Sequence, residues 1–164
     1  MNNTMENELP LRSHQASMTQ LVLPNDTNQL GNLLGGQLMH WIDLVAAIAA
    51  ARHSHHICVT ASVDDLNFLH PIKVGEVVTL LASINRVFRT SMEVGVKVLS
   101  ENLLTGKVKH ANTAYLTFVA LDVNGMPKQV PQIQFETEEE QRRFDDAMSR
   151  RELRLSRRKK IPNA

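Results

Sequence analysis

One segment of the chain constrains the fold more than any other. From Gly35 to Arg52 the sequence predicts a helix, and between Met39 and Ala51 apolar residues occupy almost every side of it. A helix that is apolar all round has to be enclosed by other structure. Asp43 nevertheless lies in its middle, and ionised groups are rarely left in apolar surroundings without a purpose. The segment therefore predicts both the centre of a core and a candidate reactive group.

Composition limits the number of domains and the compartment. The chain has 164 residues and no linker rich in proline, glycine or serine, so we expect one domain at 17–131, after a flexible segment at 1–16 and before a helical tail at 132–164. A single cysteine, Cys58, fits a reducing compartment. The first sixteen residues lack the apolar stretch of a signal peptide, and the helical segment is too short and interrupted to span a bilayer. We expect a cytoplasmic protein without a membrane segment.

Alternating apolar residues predict strands on both sides of the helix. These strands cover 18–23, 57–68, 76–88, 92–100 and 107–121. In the second of them the alternation runs through Val59, Ala61, Val63 and Leu66, the residues expected on the buried face. The connections at 89–91 and 102–106 have hairpin length, so the strands that they join should pair antiparallel.

The predicted sheet has to bury one face, and the helix is its large apolar partner. We therefore predict an α+β fold in which a curved antiparallel sheet wraps around one long central helix. A second helix is predicted at 138–160. This arrangement of sheet and helix is known as the hotdog fold.

Two runs of residues in and around the central helix form a motif. They are Pro24-x-Asp26-Thr27-Asn28-x-x-Gly31-x-x-x-Gly35-Gly36-x-x-x-x-x-x-Asp43 and Val63-x-x-x-x-Phe68-x-x-Pro71-x-x-x-Gly75. These positions resemble the acyl-CoA hydrolase family of hotdog thioesterases. The motif joins a loop, a helix start, an acid and a second strand at matched spacings, which makes it more specific than a lone double glycine.

The resemblance covers residues 17–131 and implies an activity, namely hydrolysis of acyl-CoA to a carboxylic acid and free coenzyme A in fatty acid metabolism. It implies that Asn28 and Asp43 form the catalytic pair and that Phe68 points toward the acyl pocket. It also implies homodimers that stack into hexamers as trimers of dimers. No cofactor is expected, since coenzyme A is part of the substrate and the product.

The chemistry of thioester hydrolysis requires a group that activates water or attacks the carbonyl, and donors that stabilise the developing oxyanion. Asp43 can act as general base or as nucleophile. Free backbone N–H groups at the helix start, near Gly35 and Gly36, can stabilise the oxyanion. The side chain of Asn28 can position the water or the carbonyl, although asparagine also shapes turns. Asp43 could alternatively be a core carboxylate satisfied by its neighbours.

The spacing of these groups adds a constraint. Asp43 lies seven residues beyond Gly36, which is roughly 10 Å along a helix axis. One carbonyl cannot contact both, so we expect the donor and the acid to come from different chains, on helices that run antiparallel across a dimer interface. Ala47 and Ala50 share this face and allow a close approach. His40 lies beside Asp43 in the expected acyl pocket and is a weaker candidate acid or base.

Coenzyme A carries phosphates, so its binding site needs cations or hydrogen-bond donors. The predicted hairpin around 89–91 offers a cluster of them, although the same residues could form an ordinary polar hairpin tip. These candidates are Arg86, Arg89, Thr90 and Ser91. The histidines at 53, 55 and 56 match no zinc spacing, and Asp64 with Asp65 is read as a polar strand edge, so we expect no metal site.

The segment RRELRLSRRKK at 150–160 holds seven basic residues and one acidic residue. It follows an acidic stretch at 136–140, and this charge order complements a helix dipole. Because no aromatic residues are interleaved to stack on bases, we do not expect nucleic acid as a partner. The helix should dock on a protein surface through Phe144, Met148 and Leu155, or border the phosphates of coenzyme A.

Two alternative functions remain. A hotdog 3-hydroxyacyl dehydratase needs a catalytic histidine with a helix acid, and His70 followed by Pro71 partly matches the loop of that family, although the proline and glycine spacing differs. A non-catalytic regulator that senses acyl-CoA is the other alternative, and it would bind ligand without turnover.

Overall fold

A computed structural model describes residues 15–64 and 66–158. Within them the elements are β1 (Gln15–Leu21), α1 (Gly35–Ser54), β2 (Ile57–Val63), β3 (Val77–Val87), β4 (Ser91–Asn102), β5 (Lys107–Leu121) and α2 (Glu138–Arg158). Of the segment predicted to be flexible, 1–14 lies outside the described residues, whereas Gln15 and Ala16 begin β1. Asp65 and the tail residues 159–164 also lie outside them.

The described strands form one antiparallel sheet in the order β1-β3-β4-β5-β2. The two predicted hairpins, β3–β4 and β4–β5, are confirmed. β2 does not pair with the strand that follows it and instead extends along β5, so β2 forms one edge of the sheet. α1 connects β1 to β2 and packs against the sheet, as the predicted hotdog fold requires.

The core lies between α1 and one face of the sheet. Alternate residues of the central strands, such as Val78 and Leu80 in β3 and Val94 and Val96 in β4, are fully buried there. On the helix, four residues have no exposed surface, namely Val45, Ala46, Ala49 and Ala50. The period of two in the strands and the helical spacing in α1 therefore place their apolar residues on facing surfaces.

The prediction that α1 is enclosed on most sides is wrong for the single chain. Met39, Leu44 and Ile48 keep 43%, 42% and 41% of their surface exposed. One sheet covers one side of a helix, and the opposite apolar side of α1 remains open. The same side carries Asp43, which is partly exposed.

β2 contains an irregularity that changes which residues face the helix. Its register against β5 shifts between Thr60 and Ser62. Before the shift, Thr60 lies opposite the fully buried Phe118. Directly opposed residues share a face of the sheet, so Thr60 is on the α1 side. The expected burial of Val59 is wrong, because this residue is on the alternate face and 43% exposed.

α2 packs on the other face of the sheet. Its Ala147 is fully buried, and the ring of Phe144 lies 5.4 Å from that of Phe135. Deeper in this layer, the side chain of Glu93 in β4 is fully buried and accepts hydrogen bonds from Arg150 and Asn85. The sheet is therefore covered on both faces, by α1 on one and by α2 on the other. Neither helix of the described part is long and apolar enough to cross a membrane.

Candidate active site

Asp43 is held by a hydrogen bond from the neighbouring strand. The hydroxyl of Thr60 donates to Oδ1 of Asp43 over 2.6 Å. The carboxylate also lines a cavity of about 320 Å³. Its lining includes Gly36, Met39, His40, Asp43, Thr60, Val63, Leu66 and Leu116. The site therefore presents an oriented carboxylate in mostly apolar surroundings.

Thr60 was missed in the sequence. Strict alternation through 57–68 assigned it to the solvent face, and the register shift in β2 reverses that assignment. A threonine opposite the helix acid could have been found only if the extra residue in the strand had been recognised. Asp43 therefore has a partner that orients its carboxylate, namely Thr60, which the residue spacing of the sequence did not predict.

The start of α1 offers backbone donors. Leu34 precedes the helix and supplies no side-chain cap, and the first turn contains no acidic residue. The first hydrogen bond of helical type recorded there runs from the amide of Leu38 to the carbonyl of Leu34, so the amides of the two glycines precede it. A Cβ on Gly36 would meet nothing within 4 Å, so the space beside its backbone on the Cβ side is open.

Gly35 has a different environment from Gly36. A Cβ at Gly35 would lie 3.3 Å from the ring of Phe68. This ring and His70 line a second cavity of about 330 Å³ that reaches Leu38 at the helix start. Phe68 therefore packs against the beginning of α1, and His70 lines a cavity other than that of Asp43. His70, the histidine that partly matched the dehydratase loop, and Asp43 therefore line different cavities of this chain.

Asn28 forms a tight turn before α1. Its Oδ1 accepts hydrogen bonds from the amides of Leu30 and Asn32, at 2.9 and 3.2 Å. The turn-shaping role of this asparagine is thus present, and it fixes the orientation of the amide. Because Oδ1 is engaged, the NH₂ group is the end of the side chain that can contact a substrate. Asn28 does not line the cavity of Asp43 in this chain.

The predicted coenzyme A candidates lie around the β3–β4 hairpin. Arg86 donates to the carbonyl of Phe144 over 3.0 Å, and its guanidinium lies 3.9 Å from the centre of that ring. Arg89 is exposed. The carbonyl of Ser91 accepts a hydrogen bond from the amide of Phe88 across the hairpin, and the carbonyl of Thr90 accepts one from the amide of Ala120. Arg86 is therefore held against α2, and the assignment of this cluster to coenzyme A stays a prediction.

The histidines after α1 make local contacts. Nε2 of His53 lies 2.7 Å from the carbonyl of Pro131, and Nδ1 of His56 lies 2.7 Å from the carbonyl of Ser54. Among residues 15–64 and 66–158, no three His, Cys, Asp or Glu side chains are grouped as metal ligands would be. Burial raises the pKa of the Cys58 thiol, which makes it a poor nucleophile at neutral pH.

Comparison with known proteins places the chain in a family. The Thioesterase superfamily model matches residues 30–107. An uncharacterized acyl-CoA thioester hydrolase of Bacillus subtilis, YkhA, is 46% identical over 141 residues, which cover 86% of this chain and 82% of that protein. The chain belongs to the acyl-CoA hydrolase family of hotdog thioesterases. The predicted family and fold are thereby confirmed.

Solved structures of acyl-CoA hydrolases share the fold. A hexameric acyl-CoA thioesterase superposes with a TM-score of 0.88 at 43% identity, covering 92% of this chain and 96% of that one. The acyl-CoA hydrolase of Staphylococcus aureus, solved with butyryl coenzyme A, coenzyme A and coenzyme A disulfide, has a TM-score of 0.83 at 40% identity, with 88% of each chain covered. Its Asp43Ala, Thr60Ala and Asn28Ala variants have also been solved, and this chain has the same residue types at these numbers.

Proposed function

We propose that the protein hydrolyses acyl-CoA thioesters to a carboxylic acid and free coenzyme A. The observation that carries the proposal is the oriented carboxylate of Asp43, which Thr60 holds at the edge of an apolar cavity. Family membership supports the substrate class. The apolar lining from Met39, Leu66 and Leu116 suits an acyl chain.

Asp43 supplies the attacking group. With Oδ1 engaged by Thr60, Oδ2 takes a proton from a water as the water oxygen attacks the thioester carbonyl. The tetrahedral intermediate then expels the thiolate of coenzyme A, which recovers the proton from the carboxyl group. Direct attack by Oδ2 to form an anhydride, followed by hydrolysis, uses the same geometry.

The oxyanion is stabilised by donors at the start of α1. The Cβ side of Gly36 is open, so a ligand can approach the backbone there. Preorganised N–H donors at a helix start lower the barrier by stabilising charge that develops in the transition state. The side-chain NH₂ of Asn28 adds a further donor. Because its Oδ1 already accepts hydrogen bonds within the turn, Asn28 acts on the carbonyl oxygen as a hydrogen-bond donor through its NH₂ group.

Two chains complete one site in this proposal. β2 has a neighbouring strand on one side only within the described sheet, and its Ile57, Val59 and Val63 are 72%, 43% and 41% exposed. An exposed strand edge beside an apolar helix face favours pairing with a second copy. Antiparallel pairing brings the start of one α1 to Asp43 of the other. Such dimers can assemble further as trimers of dimers, in line with the hexameric structure that the chain resembles.

Replacement of Asp43 tests the function. We expect Asp43→Asn to lower kcat on acyl-CoA substrates by about a thousandfold, because the variant cannot accept the proton from water. Release of free thiol from a panel of acyl-CoAs of increasing chain length measures this effect and defines the preferred substrate. Asp145→Asn, which changes an exposed carboxylate of α2, is the matched control. Wild-type turnover by Asp43→Asn would refute the assignment, and tight acyl-CoA binding without any turnover by the wild type would favour the sensor.

A further inference from the structure

Among the described residues that line the cavity of Asp43, one is a histidine, His40. It lies three residues before Asp43 on α1, so the two Cβ atoms are about 5 to 6 Å apart on the same side of the helix. Most of the remaining lining is apolar and consists of Met39, Ile42, Val63, Leu66 and Leu116. A group that fills this cavity therefore meets one imidazole ring among apolar side chains.

The ring of His40 is available to a ligand. Asp43 and Thr60, the other polar side chains of the described lining, are joined to each other by their 2.6 Å hydrogen bond. The ring nitrogens of His53 and His110 lie 2.7 and 2.8 Å from oxygen atoms of the protein, whereas the ring of His40 forms no hydrogen bond with a described residue. A neutral imidazole has one donor and one acceptor nitrogen, so both can be used by a bound acyl group.

The position of His40 on α1 decides which part of an acyl group its ring can reach. In the proposed reaction the thioester carbon lies beside Asp43, and the third carbon of the acyl group is two bonds further along the chain. His40 is displaced from Asp43 by roughly 4.5 Å along the helix axis, toward Gly36. The cavity extends in the same direction, because Gly36 also lines it. An acyl group that follows the cavity from Asp43 toward Gly36 thus brings its third carbon next to the His40 ring.

We infer that His40 makes the protein selective for acyl-CoA whose acyl group carries a hydroxyl on its third carbon. The inference rests on the proposed function and names a substrate class for the same site. A hydroxyl is both a donor and an acceptor, so it can bind either tautomer of the imidazole. An unsubstituted acyl group displaces water from the ring and offers it no hydrogen bond, and a site of this kind discriminates against the substrate that lacks the matching group.

Paired four-carbon substrates test the inference on the wild-type protein. We expect kcat/KM for 3-hydroxybutyryl-CoA to exceed that for butyryl-CoA by about tenfold, a ratio typical of one hydrogen bond. Release of free thiol measures hydrolysis and does not count loss of water from the hydroxylated substrate. Acetoacetyl-CoA, whose 3-oxo group only accepts hydrogen bonds, then identifies the role of the ring. It should share the preference if the ring donates and lose it if the ring accepts.

Two variants of His40 separate selectivity from catalysis. His40→Leu should lower kcat/KM for 3-hydroxybutyryl-CoA by about tenfold, to the level of butyryl-CoA, whose own kcat/KM should not fall. His40→Gln retains a donor and an acceptor and should keep the preference. Because His40 is exposed in the single chain, both variants should fold, and circular dichroism checks this.

The matched control is a histidine at the other end of the same helix. His55→Asn removes an exposed imidazole fifteen residues further on, roughly 22 Å along the axis. The backbone of His55 is left-handed, with a φ of 54°, and asparagine tolerates this conformation. The control should leave kcat/KM unchanged on both four-carbon substrates.

Equal kcat/KM of the wild type for butyryl-CoA and 3-hydroxybutyryl-CoA would overturn the inference. A loss by the same factor on both substrates in His40→Leu would also overturn it, since that result would make His40 a catalytic acid or base. If the wild type hydrolyses no acyl-CoA, the proposed function fails separately, and calorimetric titration with the thioether analogues of the two substrates still tests the selectivity. Equal affinity for the two analogues contradicts it, whereas a preference for the hydroxylated analogue that His40→Leu loses supports it.

Discussion

At the scale of single residues, one extra residue in β2 decides which side chain reaches the helix acid. Without the register shift, Thr60 would point away from α1 and Asp43 would lack its 2.6 Å hydrogen bond. An unanchored carboxylate on a partly open helix face can adopt several rotamers. The bulge therefore places a hydroxyl where it restricts Asp43 to one orientation.

Removal of this hydroxyl tests the positioning role. Thr60→Val keeps the shape of the side chain and loses the hydrogen bond, so we expect kcat to fall by about tenfold, a loss typical of one hydrogen bond to a charged group. Thr60→Ser retains the hydroxyl and should recover most of kcat. Steady-state rates on the preferred acyl-CoA, with thermal melting as a check on folding, give the comparison. A serine variant as slow as the valine variant would contradict the role.

Sequence periodicity predicted part of the candidate site, and the remaining residues could not be predicted for a physical reason. Asp43 and Gly36 lie on one helix, whose period is regular, so their shared face could be read from spacing. Thr60 lies in a strand whose alternation is interrupted, and an interrupted period cannot be read by counting residues. The orientation of the Asn28 side chain also could not be predicted from the sequence, because it depends on hydrogen bonds from backbone amides of its own turn.

At the scale of elements, α2 is anchored by a buried charge pair. Glu93 is fully buried, Arg150 is its partner, and Asn85 donates a further hydrogen bond over 3.0 Å. Gly95 permits this arrangement, since a Cβ there would come within 2.7 Å of the Asn85 amide nitrogen. The outer face of the sheet thus contains an acid that needs α2 for its neutralisation.

Removing the arginine from this pair should destabilise the fold. Arg150→Met leaves the Glu93 carboxylate buried without its cationic partner, at a cost of about 3 kcal/mol in the free energy of unfolding. Chemical denaturation monitored by circular dichroism measures the loss. Arg142→Met removes an arginine whose ion pairs to Glu139 and Asp146 are exposed, so it should change stability little. Equal stability of the two variants would show that the buried pair does not anchor α2.

The elements themselves were largely predictable, whereas their contacts across the sheet were not. The strand and helix periods predicted the five strands and both long helices, because each period reflects one buried face. The predicted second strand ran to 68, whereas β2 ends at Val63, and the 3-10 helix at Pro24–Asp26 was read as part of a loop. Arg86 is an example of a contact that local sequence patterns do not predict. Its position near a hairpin tip indicated a solvent-exposed cation, but the docking of α2 places it against Phe144, and no local pattern records that contact.

At the scale of the whole molecule, a single chain leaves its own site incomplete. Asn28 and Asp43 do not share a cavity within the chain, and the side of α1 that carries Asp43 is open. The exposed Leu44 and Ile48 on that face, next to the edge strand β2, provide apolar surface that a second copy can cover. In the proposed dimer, the contact that buries the exposed face of α1 therefore also completes the active site.

Mixed dimers test this arrangement directly. Asp43→Ala and Asn28→Ala homodimers should both be inactive, because each of their sites lacks one group. When differently tagged variants are co-expressed in equal amounts, half of the dimers are mixed, and each mixed dimer holds one intact site if the two residues meet across chains. We expect about a quarter of the wild-type activity in the total dimer pool, and about half in dimers purified through both tags.

If both residues of a site came from one chain, every site in a mixed dimer would still lack one group, and the doubly tagged fraction would stay inactive. The same preparation made from Asp43→Ala and Thr60→Val, which lie on one side of the interface, should restore no comparable activity, since in the mixed dimer one site lacks the acid and the other lacks its positioning hydroxyl.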